Sequence, residues 1–152
     1  MKFKCPMLVV SSMETSVRFY REVLGLRVVM DLGANVTLTG GLSLQTRETW
    51  REFIGTDEIS LGGNDAEVYF EEEDFPAFVD RLRSLSVRYV HPVIEHRWGQ
   101  RAVRFYDPDL HIIEVAESMR SVCRRFSESG MTPEQIALRM DVPLKLVRGY
   151  LR

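Results

Sequence analysis

The sequence predicts an α+β protein made of two β-α-β-β-β units, followed by a helical C-terminal extension. Three observations predict it. One order of apolar patterns occurs twice, about 60 residues apart. The last stretch, 118–152, then changes to short helical stripes with a basic surplus. Finally, 45% hydrophobic and 28% charged residues describe a globular chain, and ten glycines and six prolines exclude a fibrous or disordered one.

The elements follow in order. Cys5 to Val10 is a short apolar strand, and Ser11-Ser12 precede a helical pattern through Val17, Tyr20, Val23 and Leu24 that stops at Gly25. Leu26 to Leu32, Val36 to Thr39 and Leu42 to Gln45 read as three strands separated by Gly33-Ala34-Asn35 and Gly40-Gly41. A detour over 47–63, with Trp50, Phe53 and Ile54, reads as a short helix. The order then repeats. Ala66 to Glu71 is a strand, and Asp74 caps a helix whose Phe75, Phe78, Val79 and Leu82 have the spacing of one buried stripe. Val87 to Val90, Arg101 to Tyr106 and His111 to Ala116 complete the second unit, with the turn Asp107-Pro108-Asp109 before the last strand. These readings place a two-unit domain at 1–117, its units at about 3–45 and 65–117, and a separate extension at 118–152.

In the extension, Met119, Val122, Cys123 and Phe126 form one helical stripe ended by Gly130. Thr132-Pro133-Glu134-Gln135 is a capping box opening a second helix, Asp141-Val142-Pro143 breaks it, and Leu144, Val147 and Leu151 mark a third. The last two resemble a helix-turn-helix in outline, but the turn lacks the common glycine and few base-reading side chains accompany Lys145, Arg148 and Arg152. An amphipathic arm that covers the sheet or embraces a partner subunit is the favoured reading, and a nucleic-acid partner is not expected.

Charge and cysteines bound the function classes. Residues 1–117 carry 13 basic and 19 acidic side chains, whereas 118–152 carry seven and three. An acidic body does not gather polyanions, so any such contact falls to the tail. No run approaches the roughly 18 apolar residues of a membrane span, and the start has no signal-peptide core, so a cytoplasmic location is expected. Cys5 and Cys123 make no disulfide framework and are expected to be reduced, buried thiols.

The phrases Ser16-Val17-Arg18-Phe19-Tyr20-Arg21-Glu22-Val23-Leu24-Gly25-Leu26 and Phe105-Tyr106-Asp107-Pro108-Asp109-Leu110-His111-Ile112-Ile113-Glu114-Val115 resemble the two signature stretches of the vicinal oxygen chelate superfamily. That superfamily includes glyoxalases, extradiol dioxygenases and bleomycin-resistance proteins; the resemblance covers residues 3 to about 117 and implies that the paired units form a curled β-sheet cup. One departure is Leu110, where the family usually has glycine. A leucine there implies a different turn or a strained one.

The resemblance implies a divalent metal held by one residue from the first and last strand of each unit, here near Cys5, Gln45, Glu67 and Glu114. Strand alternation is compatible with that set, since Gln45 shares a face with Ser43, Glu67 with Tyr69, and Glu114 with Ile112 and Ala116. Histidine is missing from all four places, and a soft thiolate beside amide and carboxylate oxygens is an awkward donor set. Cys5 in an apolar strand reads first as a small core residue. Glu114, among Ile112, Ile113, Val115 and Ala116, must face a wet cavity or pair with Arg101 or Arg104. If the metal chemistry is retained, Glu114 or Glu67 is also the candidate base.

The densest polar and aromatic cluster is His96-Arg97-Trp98-Gly99-Gln100-Arg101. Either Trp98 stacks on a planar ligand that His96, Gln100 or Arg101 hydrogen-bonds, or Trp98 plugs a hydrophobic seam. Tyr106 and Trp50 are further candidate aromatic walls, while His91 and His111 read as structural. The expectation is a homodimeric protein that binds a small organic molecule in the cup, with no reaction assigned. A metal-dependent glyoxalase-like lyase or dioxygenase is the alternative, and a ligand-responsive regulator using the basic tail a distant third.

Overall fold

The computed structural model describes residues 1–152, in the order β1 (Met7–Val10), α1 (Met13–Leu24), β2 (Val28–Asp31), β3 (Asn35–Leu38), β4 (Ser43–Thr46), α2 (Arg47–Ile54), β5 (Glu67–Glu72), α3 (Phe75–Arg83), β6 (Arg88–Glu95), β7 (Arg101–Tyr106), β8 (Ile112–Glu117), α4 (Met119–Glu128), α5 (Pro133–Met140) and α6 (Leu144–Tyr150). The β-α-β-β-β order occurs twice, with α2 between the copies and three helices after them. Each copy forms its own four-stranded sheet, ordered β1-β4-β3-β2 and β5-β8-β7-β6. By contact the chain divides into two compact units. The first is Met1–Glu67 with Tyr106–Ile112, and the second is Val68–Phe105 with Ile113–Arg152. The helices after Glu117, set apart by composition, therefore cluster with the second repeat.

In the first unit, β1 runs parallel to β4 while β3 is antiparallel to β4 and to β2. Ser12 caps α1 by accepting from the Thr15 amide, and Gly25 ends it at φ 69°, a left-handed conformation that costs a side-chain-bearing residue roughly 1–2 kcal/mol. Tyr20 and Val23 of α1 are buried with Val36, Leu38, Leu42 and Leu44. The register pairs Asn35 with Gln45 and Thr37 with Ser43, so alternation gathers these four polar residues on the opposite face.

The second unit repeats the scheme. Asp74 accepts from the Ala77 amide and starts α3, whose Phe75, Phe78, Val79 and Leu82 are buried. Phe78 meets Phe105 of β7 with ring centroids 6.5 Å apart, and Val103, Ile113 and Val115 are buried as well. Within this unit α4, α5 and α6 have a core of their own: Val122, Cys123, Phe126, Ile136, Met140 and Val147, each at most 8% exposed. The expected capping box is present in full, Thr132 and Gln135 each satisfying the other's backbone amide.

Two expectations need correction and one open alternative is resolved. Cys5 lies ahead of β1 and is only half-buried, because the strand begins at Met7. Strand β6 runs to Glu95, well past the expected Val90. Pro92 does not end it because β6 is a sheet edge, where a missing amide donor costs no ladder bond. Residue Leu110, open between two turn geometries, takes φ 69°. The turn keeps the conformation that suits glycine, and the leucine bears its strain.

Candidate functional site

The four positions implied for a metal do not present a free donor set. Gln45 is 3% exposed, and its amide is engaged within its own unit. Asn35 Nδ2 donates to Gln45 Oε1 at 2.8 Å, and Gln45 Nε2 donates to Thr49. Cys5 is half-buried outside the strand. Glu67, at the start of β5, is exposed. Glu114 is 4% exposed and ion-paired with Arg104 on β7. Of the two options for a buried carboxylate, pairing with a base is the one the structure shows.

No group of three or more His, Cys, Asp or Glu side chains converges as a metal centre would require. Moreover, a guanidinium on Glu114 supplies the positive charge that a divalent cation would otherwise bring, and its own repulsion disfavours that cation. The residues do not fit the metal that the superfamily resemblance implies.

The cluster around Trp98 is satisfied internally. His96 stacks on the indole at 4.4 Å with 12° between planes, and Trp98 Nε1 donates to Gln100 Oε1 at 3.0 Å. Gln100, 5% exposed, donates from Nε2 to Tyr69 Oη at 3.0 Å and to the Glu117 carbonyl at 2.9 Å. Arg101 donates from Nε and Nη2 to the two oxygens of Glu117, at 3.1 and 2.9 Å. Arg125 of α4 adds a second fork to the same carboxylate, at 3.1 and 2.9 Å. Burial pushes the Glu117 carboxyl up, but hydrogen bonds from Arg125 and Arg101 outweigh it and hold the group below its ordinary value. The Arg101 guanidinium is held above its ordinary value, chiefly by its hydrogen bond to Glu117.

This cluster also anchors the tail. Arg125 donates from Nη2 to the Gly99 carbonyl at 2.5 Å, and the Phe126 ring occupies the space above Gly99 where a Cβ would stand. A cavity of about 230 Å³ bordered by Trp98, Arg97, Arg139, Met140 and Asp141 shows the indole facing α5. Thus Trp98, His96, Gln100 and Arg101 come together, and what they hold is the helical extension. Of the other aromatic candidates, Trp50 is half-buried on α2 of the first unit, and Tyr106 donates to Asn64 Oδ1 at 3.0 Å.

Two groupings escape a reading of the sequence. The first is a polar row on the second sheet. Arg104 joins Glu114 on one side and contacts His91 Nε2 at 3.2 Å on the other. Tyr69 feels the Glu114 charge, and its hydroxyl is pushed up to about 12, mainly by burial. Arg104 is one of the two partners the sequence offers Glu114, and alternation in β7 puts it two residues from Ala102 and Tyr106 on the face opposite Val103 and Phe105. Nothing local pairs it with His91.

The second grouping joins the two signature phrases inside the first unit. Tyr20 donates to Asp107 Oδ2 at 2.9 Å, and His111 Nδ1 lies 2.8 Å from the same oxygen. Asp107 Oδ1 accepts from the amides of Asp109 and His111 at 2.9 Å each, while Asp109 accepts from the Ser11 amide at 3.0 Å. Burial first, and then the Asp107 charge, push the Tyr20 hydroxyl far above its ordinary value, so it remains a donor. The signature residues are a buried clamp that holds the Asp107–His111 turn.

The model of the glyoxalase-like domain family matches residues 3–120. YraH of Bacillus subtilis (strain 168), an uncharacterized protein, is 29% identical over 117 residues, which is 71% of this chain and 91% of that protein. Among solved structures, a protein of unknown function from Agrobacterium tumefaciens str. C58 superposes with TM-score 0.71 at 35% identity, covering 78% of this chain and 95% of that one. A glyoxalase-related enzyme from Fulvimarina pelagi gives TM-score 0.67 at 21% identity over 77% and 88% of the two chains. With two β-α-β-β-β units, a buried link between its two signature phrases and a match over residues 3–120, the chain belongs to the glyoxalase-like domain family.

Proposed function

We propose that this protein binds a small organic molecule on the polar face of its second sheet and does so without a divalent metal. The Arg104–Glu114 pair carries the reading. A cation already neutralises the carboxylate that a metal would need, and Arg104, 22% exposed in its side chain, turns the face toward ligands that accept hydrogen bonds, such as carboxylates and carbonyls. Tyr69, whose hydroxyl donates to Glu71 Oε1 at 3.1 Å and accepts from Gln100, adds an aromatic ring on the same sheet.

The test is metal content after separate loading with Zn²⁺, Mn²⁺, Fe²⁺ and Ni²⁺, followed by a thermal-shift screen of small carboxylic acids and planar carbonyl compounds. Less than a tenth of an equivalent of each metal, with hits that vanish in Arg104→Met, is the expected result. About one equivalent lost in Glu114→Gln overturns it and restores a metal-dependent lyase or dioxygenase.

We also propose that the protein is a homodimer. Supporting this, β2 is a sheet edge whose Val28, Val29 and Met30 are 45%, 66% and 49% exposed, with Leu32 beyond it at 67%. Such an apolar edge is a pairing surface, and a second copy of the chain covers it. Sedimentation of Val29→Glu tests this, with a monomer expected. No helix is long and apolar enough to cross a membrane.

A further inference from the structure

The three C-terminal helices lie almost wholly beyond the family match, which ends at residue 120, so the small-molecule reading does not account for them. The turn without glycine and the few base-reading side chains argue against a nucleic-acid partner for this basic segment, and the folded tail removes the first of these objections. Its core is buried as completely as a small domain's, with Val122, Cys123, Ile136 and Val147 at 0% exposure. The segment is therefore a three-helix module and not merely an amphipathic arm. The turn between α5 and α6 is three residues long, and Asp141 occupies its left-handed position at φ 55°, ψ 46°. Aspartate is among the few side chains that tolerate this conformation, so the missing glycine does not alter the turn. Val142 packs into the core and Pro143 leads into α6. Two helices joined by such a turn and packed with a third have the outline of a helix-turn-helix.

The outer face of α6 points to the ligand. Lys145, Arg148 and Gly149 share one helical stripe, Arg152 follows just past the end of the helix at the same spacing, and all four are exposed. With Leu144 they line a shallow concavity of about 390 Å³. Val147, on the opposite side, is fully buried, and Tyr150 and Leu151 pack against the same core. A glycine inside a helix costs roughly 0.5–1 kcal/mol relative to alanine, yet a Cβ at Gly149 would meet nothing within 4 Å. Packing within the chain does not require that glycine, and its bare backbone leaves room for close approach from outside. The cation pair of Arg148 is exchangeable, because its bond to Glu134 is a surface one with both side chains about 60% exposed.

We propose that this module binds duplex DNA through α6, with Lys145, Arg148 and Arg152 on phosphates and base edges and Gly149 allowing close approach to the groove. A membrane surface would need the apolar face of α6, which is spent on the module's core. A protein interface would want an aromatic anchor, and the stripe has none.

The experiment is fluorescence anisotropy of the full chain with a labelled 24-base-pair duplex of mixed sequence. Saturable binding at 50 mM salt is expected, weakening about 40-fold by 200 mM for three phosphate contacts. Affinity should favour the duplex over a single strand of equal length by tenfold or more. Lys145→Ala/Arg148→Ala/Arg152→Ala should abolish binding, and Gly149→Leu should weaken it tenfold or more without lowering the melting temperature. The conservative Arg148→Lys/Arg152→Lys variant should stay within a few-fold. Absence of binding at 50 mM salt, equal affinity in the triple alanine variant, or no preference for the duplex would each overturn the proposal. So would a change in oligomeric state caused by the triple variant, which would make the stripe a contact between copies. Arg104→Met should leave DNA affinity unchanged, which separates this proposal from the small-molecule reading.

Discussion

The two repeats share an architecture but stabilise their polar groups by opposite means. On the first sheet the polar face is neutral, with Asn35 hydrogen-bonded to Gln45 at 2.8 Å and Thr37 to Ser43 at 3.2 Å. In the second unit the polar groups are ionic: Glu114 pairs with Arg104 on the polar face, and at the end of β8 Glu117, on the opposite face by alternation, pairs with both Arg101 and Arg125. A neutral amide ladder loses little on desolvation, while a buried carboxylate is tolerable only when its cations are fixed in place. The second unit bears that constraint because it holds the three-helix module, and Glu117 is the joint. One carboxylate, 2% exposed, receives two arginine forks, one from the sheet and one from α4.

The largest expected effect follows at this joint. Glu117→Gln leaves two guanidinium groups with only the half-exposed Glu95, 3.7 Å from Arg125, as counter-charge and should destabilise by about 3–5 kcal/mol, read from the urea midpoint. The pH dependence has a definite sign. Because the folded carboxyl lies below its ordinary value, its stabilisation is present above the unfolded value of roughly 4.3 and is lost as pH falls through the folded one. Stability in the native chain should therefore drop on acidification below about pH 4.3, with a shallower acid limb in Glu117→Gln. Equal acid limbs would show that the joint is not ionic in solution.

Gly99→Ala strikes the same joint from the other side. A Cβ there would overlap the Phe126 ring, and the residue sits at φ 89°. Overpacking and a left-handed alanine together should cost roughly 2–4 kcal/mol. Hydrogen exchange should show the loss concentrated in α4 to α6, with the amides of α1 unaffected. In the first unit the corresponding test is Tyr20→Phe, which removes one donor from buried Asp107 and should cost about 1–3 kcal/mol. Its exchange signature should be the reverse, confined to α1 and the Asp107–His111 turn.

The legibility of the sequence follows the same division. Local signals were readable: the Asp74 cap, the Thr132–Gln135 capping box, and the stripe of Phe75, Phe78, Val79 and Leu82 all stand where the pattern puts them. Strand alternation also places Gln45 beside Ser43 and opposite Leu44, as the register confirms. Long-range pairing was not readable. Tyr20 and Asp107 are 87 residues apart, and Gln100 and Tyr69 are 31 apart. No periodicity announces such bonds. For that reason the Trp98 cluster reads as a ligand site when met one residue at a time, though its donors and acceptors are already spent on one another. Cys5 was misjudged for a simpler reason, since strand ends fray and the two residues ahead of Met7 carry no ladder partner.

The smallest effect is the most diagnostic of the neutral face. Asn35→Ala removes the donor to Gln45 Oε1 but leaves the Gln45 amide bonded to Thr49, so the cost should be only about 0.5–1.5 kcal/mol. No titrating group takes part, so the loss should be the same at pH 4 and pH 8 and indifferent to salt between 50 and 500 mM. Glu117→Gln should differ on the first count, its cost shrinking as the native carboxylate is protonated. A loss at Asn35 that varied with pH would place a charged group on this face and erase the contrast between the repeats. A constant loss would mean that a ligand on the first sheet meets amides and hydroxyls alone, leaving charge recognition to Arg104 on the second.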